Sequence, residues 1–196
     1  VLYVYIKGGF YNPLLFNPEL EPAPVPIIQE PKIWERYSNN IFSFDYPGNM
    51  AIENKPGLIL GTHYLPDPNN DQKAESLAVK YVNTSEKYGQ NQDNILKLNP
   101  TKTVTDFLLA EIENDSMAVL SNAYDIDTVR QFTVANNYYV AETQFKSSAF
   151  NTTYDGYALN IYLPESSINL NVRVFARDPK LSYNMKEAIL RSLRSE

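Results

Sequence analysis

In IFSFDYP, residues 41–47, the rings of Phe42, Phe44 and Tyr46 alternate with Ser43 and Asp45. A period of two puts all three rings on one face of a strand, and Pro47, which lacks an amide donor, stops it. LILGTHYL (58–65) and SLAVKYV (76–82) read as further strands, rich in branched and aromatic side chains that suit a pleated surface. The period then changes. In NPTKTVTDFLLAEIEND, Val104, Phe107, Leu108 and Ile112 form one apolar stripe at helical spacing. Asn99 or Thr101 can cap this helix, and Thr103 with Asp106 makes a capping box.

Strand patterns return beyond the helix. AVLSNAYDI (118–126), TVRQFTVA (128–135) and YYVAETQF (138–145) follow in quick succession, with Asn136-Asn137 as a tight hairpin because Asn tolerates positive φ. Asp155-Gly156 predicts a turn before YALNIYL (157–163), and NLNVRVFA (169–176) completes the series. The closing SYNMKEAILRSLR reads as a helix capped by Ser182, with Met185, Ala188, Ile189 and Leu193 facing inward. Arg191 and Arg194 fall in its last turn, where cations suit the helix dipole. Short links between strands rule against parallel βαβ units. The expected class is α+β, an antiparallel sheet with helices packed on its faces.

The start of the chain follows other rules. Residues 11–32 hold six of the thirteen prolines: Pro13, Pro18, Pro22, Pro24, Pro26 and Pro31. The run EPAPVPIIQEP suits extended polyproline-II and forbids a helix, so it reads as a semi-rigid spacer or a strap along the domain surface. PAPVP can also be read as a ligand for an aromatic groove in a partner. Before the prolines, VLYVYI admits two readings, the outer end of an N-terminal membrane anchor or an edge strand. Six residues cannot span a bilayer, which takes about 20, and no other segment approaches that length. The chain therefore divides into an apolar start and proline strap, residues 1–33, and a globular domain, residues 34–196.

Composition narrows the function. A chain of 196 residues fits one domain with an appendage. The net charge of −6 is dispersed, without a run of Lys or Arg that could neutralise a row of phosphates, which disfavours nucleic-acid binding. The absence of cysteine removes thiol catalysis, disulfides and cysteine-bearing zinc sites. Fifteen tyrosines against one tryptophan favour strands, and tyrosine is also enriched at interfaces.

Candidate chemistry is sparse. His63 is the single histidine, and no GxSxG elbow surrounds any serine, so it reads as a structural residue. Asp67, Asn69 and Asp71 in DPNNDQ echo the start of a calcium loop, but Gln72 and Ala78 stand where an EF-hand needs Gly and Glu. A polar hairpin loop is the simpler reading; if a cation such as calcium binds anywhere, these oxygens are the place, and no other cofactor is expected. Glu111 and Glu113, or Asp125 and Asp127, read as solvated faces, and Gly8-Gly9 lacks the GxxxxGK of a phosphate loop. Glycosylation sequons stand at Asn83, Asn114 and Asn151.

The frame residues carry a resemblance. Tyr37, Phe42, Phe44, Tyr46 and Pro47 at the start, the strand Tyr157 to Leu163, and Ala188, Ile189, Leu190, Ser192 and Leu193 at the end together resemble the PsbP-like family. That family shares its fold with the Ran-binding Mog proteins and with many bacterial extracytoplasmic lipoproteins. The resemblance covers about residues 34 to 195 and departs where the family often has a tryptophan after the YP step: Gly48, Asn49 and Met50 stand there. It implies a six- to seven-stranded antiparallel sheet sandwiched by helices, and a non-enzymatic protein that docks on a larger, often membrane-bound assembly. No residue matches a manganese-cluster or Ran-contact surface, so neither partner carries over. The expected function is an extracytoplasmic, membrane-tethered accessory subunit, with Val1, Leu2, Tyr3, Val4, Tyr5, Pro22, Pro24 and Pro26 as candidate partner contacts. The alternatives are a small-ligand or cation carrier with a pocket between sheet and helix, and a self-assembling subunit that donates residues 1–10 to a neighbour's sheet edge.

Overall fold

The structure is a computed structural model that describes residues 4–6, 9–11, 33–65, 72–114, 121–125, 127, 129–134, 138–149 and 152–196. Residues 12–32, with the six prolines of the strap, and residues 66–71, with Asp67, Asn69 and Asp71, lie outside the described residues. Near the start, β1 (Val4–Ile6) and β2 (Gly9–Tyr11) pair antiparallel with each other.

Seven strands form one continuous antiparallel path. They are β5 (Ala51–Lys55), β6 (Leu58–Leu65), β7 (Gln72–Asn83), β8 (Ser121–Tyr124), β10 (Tyr138–Ala149), β11 (Thr152–Leu163) and β12 (Ile168–Ala176). Their order across the sheet is β5-β6-β7-β12-β11-β10-β8, and β9 (Arg130–Val134) shares the outer edge of β10 with β8. A second sheet of three strands sets β4 (Phe42–Pro47) between β3 (Trp34–Ser38) and the terminal β13 (Arg194–Ser195). Helices α1 (Thr84–Tyr88), α2 (Gln90–Leu98) and α3 (Pro100–Glu113) follow β7, and α4 (Pro179–Ser192) follows β12. The α+β class, with an antiparallel sheet of seven strands carrying helices on its faces, is thus the observed architecture.

Alternation along the strands builds two cores. On one face Ile59, Val79, Leu159, Ile161, Val172 and Val174 pack against Leu181, Met185 and Ile189 of α4 and the rings of β3 and β4. The expected single face of β4 is present: Phe42 and Phe44 are fully buried, Tyr37 stacks on Phe44 at 5.2 Å, and Tyr46 is half-buried against the same cluster. The other face is smaller. There Val104 and Leu108 of α3 cover Ala141, Phe145, Ala158, Tyr162 and Phe175. Ser192 explains its place in the frame motif: its hydroxyl donates to the Ala188 carbonyl at 2.6 Å and accepts from the Asp45 amide at 2.7 Å, tying α4 to β4.

Four expectations are corrected. Asp155-Gly156 is not a turn; it lies inside β11, paired with Lys146 and Phe145. Glycine stands there because the Phe145 ring lies across it, so that a Cβ would come within 2.6 Å of the ring. Ser182 is not the cap of α4. Asp178 accepts from the Lys180 amide at 2.9 Å and Pro179 supplies the preset φ of a first helical position, while the Ser182 hydroxyl donates to the Pro179 carbonyl. Arg194 has left the helix and, as part of β13, pairs with Ser43 of β4. Thr103 makes no capping box: Asn99 caps α3 by accepting from the Lys102 amide, and the Thr103 hydroxyl donates to the carbonyls of Leu96 and Asn99.

Candidate binding groove

The second face of the sheet is only partly covered. NLNVRVFA sends Leu170, Val172 and Val174 toward α4 and Asn169, Asn171, Arg173 and Phe175 toward the opposite side. Phe175 joins the cluster under α3, but toward the start of β12 this face turns polar. There an open groove of about 700 Å3 lies between α1, α3 and the β6–β7–β12 part of the sheet. Its floor includes Lys80, Val82, Asn169 and Asn171, and its walls carry Tyr88 from α1 and Phe107 from α3.

The floor holds unsatisfied hydrogen-bonding capacity. Asn169 and Asn171 are 7% and 5% exposed, and neither Asn169 Oδ1 nor Asn171 Nδ2 has a hydrogen-bond partner among the described residues. Asn160, paired with Asn171 across β11 and β12, is fully buried and lacks a partner at both amide atoms. Asn160, Asn169 and Asn171 thus make a polar patch on a face that is otherwise apolar under α3.

The walls are held from both ends. Lys80 Nζ lies 3.0 Å from Glu111 Oε2, and Arg173 donates to the Glu111 carbonyl at 3.2 Å, which fixes the end of α3 to the sheet. Glu111 is therefore an ion-paired, half-buried group rather than part of a solvated face, a further difference from the sequence reading. The Tyr88 and Phe107 rings stack at 6.2 Å, and the Lys87 ammonium lies 5.1 Å from the Tyr88 ring centre.

Behind α1 and α2 sits a buried carboxylate. Asp93 accepts from the hydroxyls of Thr84 and Ser167, is 3.4 Å from the Tyr162 hydroxyl, and pairs with Lys97 at 2.8 Å. Burial acts to raise the Asp93 pKa, but hydrogen bonds from Lys97, Thr84 and Ser167 outweigh it and hold the carboxyl below its ordinary value. Burial pushes the Tyr162 hydroxyl up to about 12. Ser167 has a φ of 55°, a left-handed conformation costly for a serine, held where its hydroxyl meets Asp93 and its carbonyl accepts the Thr84 amide at 2.7 Å.

His63 is engaged elsewhere. Its Nδ1 lies 3.2 Å from Glu75 Oε1 and 3.2 Å from Asn49 Nδ2, so a carboxylate does stand beside it. Glu75 is fully buried, and burial raises its pKa against the opposing hydrogen bond from His63. A third cluster joins α4 to β10: the buried Lys186 pairs with Glu142 Oε2 at 3.1 Å and lies between the rings of Tyr157 and Tyr183, at 4.7 and 4.8 Å. Arg130 also pairs with Glu142.

Of the sites predicted from sequence, Asp67, Asn69 and Asp71 lie outside the described residues, as do Val1, Leu2, Tyr3, Pro22, Pro24 and Pro26. Val4 and Tyr5 lie in β1. Among the sequons, Asn83 caps α1, accepting from the Ser85 and Glu86 amides, and Asn114 donates to the Ala110 carbonyl. Sequence reasoning offered a pocket between sheet and helix as an alternative, but assigned to it none of the residues that line this groove. Its one signal was the alternation N-L-N-V-R-V, in which amides occupy the positions that should face a helix.

No family model matches the chain, and no curated protein matches it. Among solved structures, a protein of Bacteroides thetaiotaomicron is similar with a TM-score of 0.48 and 15% identity over 79% of this chain. This chain spans 45% of that protein's length. LpqN, involved in cell envelope biogenesis of Mycobacterium tuberculosis, has a TM-score of 0.47 and 12% identity, covering 79% of this chain and 82% of LpqN. The Saccharomyces cerevisiae Ran-binding protein Mog1p has a TM-score of 0.47 and 9% identity, covering 83% of this chain and 95% of Mog1p. These are likenesses of backbone arrangement, at identities too low to transfer a site or an activity.

Proposed function

We propose that this protein is a non-enzymatic accessory subunit that docks on a larger protein complex and is held at the outer side of a membrane by its N-terminal segment. One observation carries the reading. Seven large apolar side chains are exposed among the described residues, and four of them belong to the layer of α1, α2 and α3: Tyr88, Ile95, Leu98 and Leu109. Leu98 is 83% exposed and Ile95 58%, whereas α4 on the other face exposes only Tyr183 among its large apolar residues. Apolar surface concentrated on one layer marks a place where another protein sits. His63, bonded to Glu75 and Asn49, acts within this proposal as a structural residue.

Membership of the PsbP-like family is part of the same proposal, supported by the burial of Phe42, Phe44, Ile189 and Leu193 in one core. The membrane tether rests on the apolar VLYVYI and the proline strap; no helix of the described residues is long and apolar enough to cross a membrane. A second reading, a small-ligand carrier, is favoured by the groove, whose volume falls within the ~300–1,000 Å3 typical of ligand pockets.

The test is recovery of tagged full-length protein from native membranes, with mass spectrometry of what co-purifies. The accessory reading expects one complex in stoichiometric amount, lost when residues 1–32 are deleted. Recovery of the protein alone, as a monomer, contradicts it and leaves the ligand reading.

A further inference from the structure

The groove on the helical face carries an excess of positive charge, in a protein whose net charge is −6. Three charged side chains line it: Lys80, Lys87 and Glu111. Glu111 is already neutralised, with Lys80 Nζ at 3.0 Å and Arg173 Nη2 at 3.9 Å from its Oε2. Lys87 has no carboxylate within ion-pair distance among the described residues; its ammonium lies over the Tyr88 ring, on the groove wall. Resting on the ligand-carrier reading, we infer that the groove takes a small amphiphile with one carboxylate, its apolar body along the groove and its head at Lys87.

The lining selects this chemistry. Leu58, Val82, Phe107 and Ala110 give an apolar body surface to cover. Asn169 and Asn171 are nearly closed off, so the floor presents few hydrogen-bonding atoms to a sugar or a peptide backbone. Pockets for small ligands combine a mostly apolar lining with a few polar groups that fix orientation. The Lys87 ammonium is such a group here, because its contact with the Tyr88 ring holds it at the wall without neutralising its charge. One ammonium is a compact point charge and suits a singly charged head. A phosphate carries about −1.5 to −2 and calls for several donors or an arginine fork. Arg173 cannot supply that fork, since it donates to the Glu111 carbonyl at 3.2 Å.

Calorimetric titration of the full chain at neutral pH with decanoate, and with decanol as its uncharged counterpart, tests the inference. Two variants change exposed positions of the groove: Lys87→Gln removes the charge, and Ala110→Trp fills the space. Decanoate is expected to bind at one site per chain, and Lys87→Gln to weaken it by about three- to fivefold, the range of an exposed ion pair. Added salt should weaken decanoate binding to wild type and leave the variant nearly unchanged. Decanol should bind wild type and Lys87→Gln alike, and Ala110→Trp should block both compounds. If Lys87→Gln leaves decanoate binding unchanged, or weakens decanol equally, the carboxylate head is overturned while the ligand reading stands. Binding that survives Ala110→Trp places the site elsewhere and overturns the inference. If neither compound binds wild type, the ligand reading falls and the inference with it. Lys87→Gln alters a single exposed side chain, so the decisive comparison does not depend on whether Ala110→Trp folds.

Discussion

Gly156 shows how one side chain sets another's identity. With the Phe145 ring and the Val174 carbonyl within 2.6–2.7 Å of any added Cβ, Gly156→Ala forces the ring or the strand aside. A loss of ~1–3 kcal/mol in urea unfolding is expected, the usual range for overpacking a core. Glu75 gives a pH-dependent prediction. Because burial raises its pKa, the folded protein holds this proton more tightly than the unfolded chain does. Its stabilising contribution is complete below the ordinary carboxylate range, ~4.3, and is lost as pH rises through the raised value. Glu75→Gln carries no charge at any pH and can still accept from His63. Its melting temperature should exceed that of wild type at pH 8 and match it near pH 4; a lower value at pH 8 would show that the carboxylate is worth more charged than neutral.

Elements whose burial pattern repeats an apolar side chain were legible in the sequence. β4, β6 and β12 alternate as expected, and α3 presents Val104 and Leu108 on one buried stripe. α1 and α2 were not legible, because the residue that α2 buries is Asp93, and a helix anchored through a carboxylate has no apolar period to detect. The hairpin of β5 and β6 was missed although Pro56-Gly57, with Gly57 at φ 72°, is a turn signal that could have found it. The anchoring role of Asp93 is testable. Asp93→Asn weakens the pairing with Lys97 and sets an amide donor against hydroxyls that now donate, so it should cost ~2 kcal/mol and loosen α1 and α2 before the sheet. Hydrogen exchange separates the two: amides of residues 84–98 should gain exchange while those of β11 and β12 keep their protection. Loss of protection throughout would place Asp93 in the cooperative core instead. Because its pKa is lowered, the Asp93 contribution is present at neutral pH and lost as pH falls through that lowered value.

For the whole molecule, the division of labour lies between the two faces of one sheet. One face is closed by α4 and the small sheet, with Ser192 and the Lys186–Glu142 pair as fasteners. The other carries short helices, exposed Ile95 and Leu98, and a groove floored by unpaired amides. The class of fold could be read from alternation and short links, since both follow from local chemistry. Which face stays open could not, because the groove beside Asn169 and Asn171 depends on where α1 and α3 end in space. If the helical layer is the docking surface, the variant Ile95→Asp/Leu98→Asp should abolish docking without unfolding the protein. Both side chains are exposed, so stability should stay within about 0.5 kcal/mol of wild type. Recovery of the partner complex from native membranes should fall at least tenfold. Full recovery with the folded double variant would show that docking lies elsewhere.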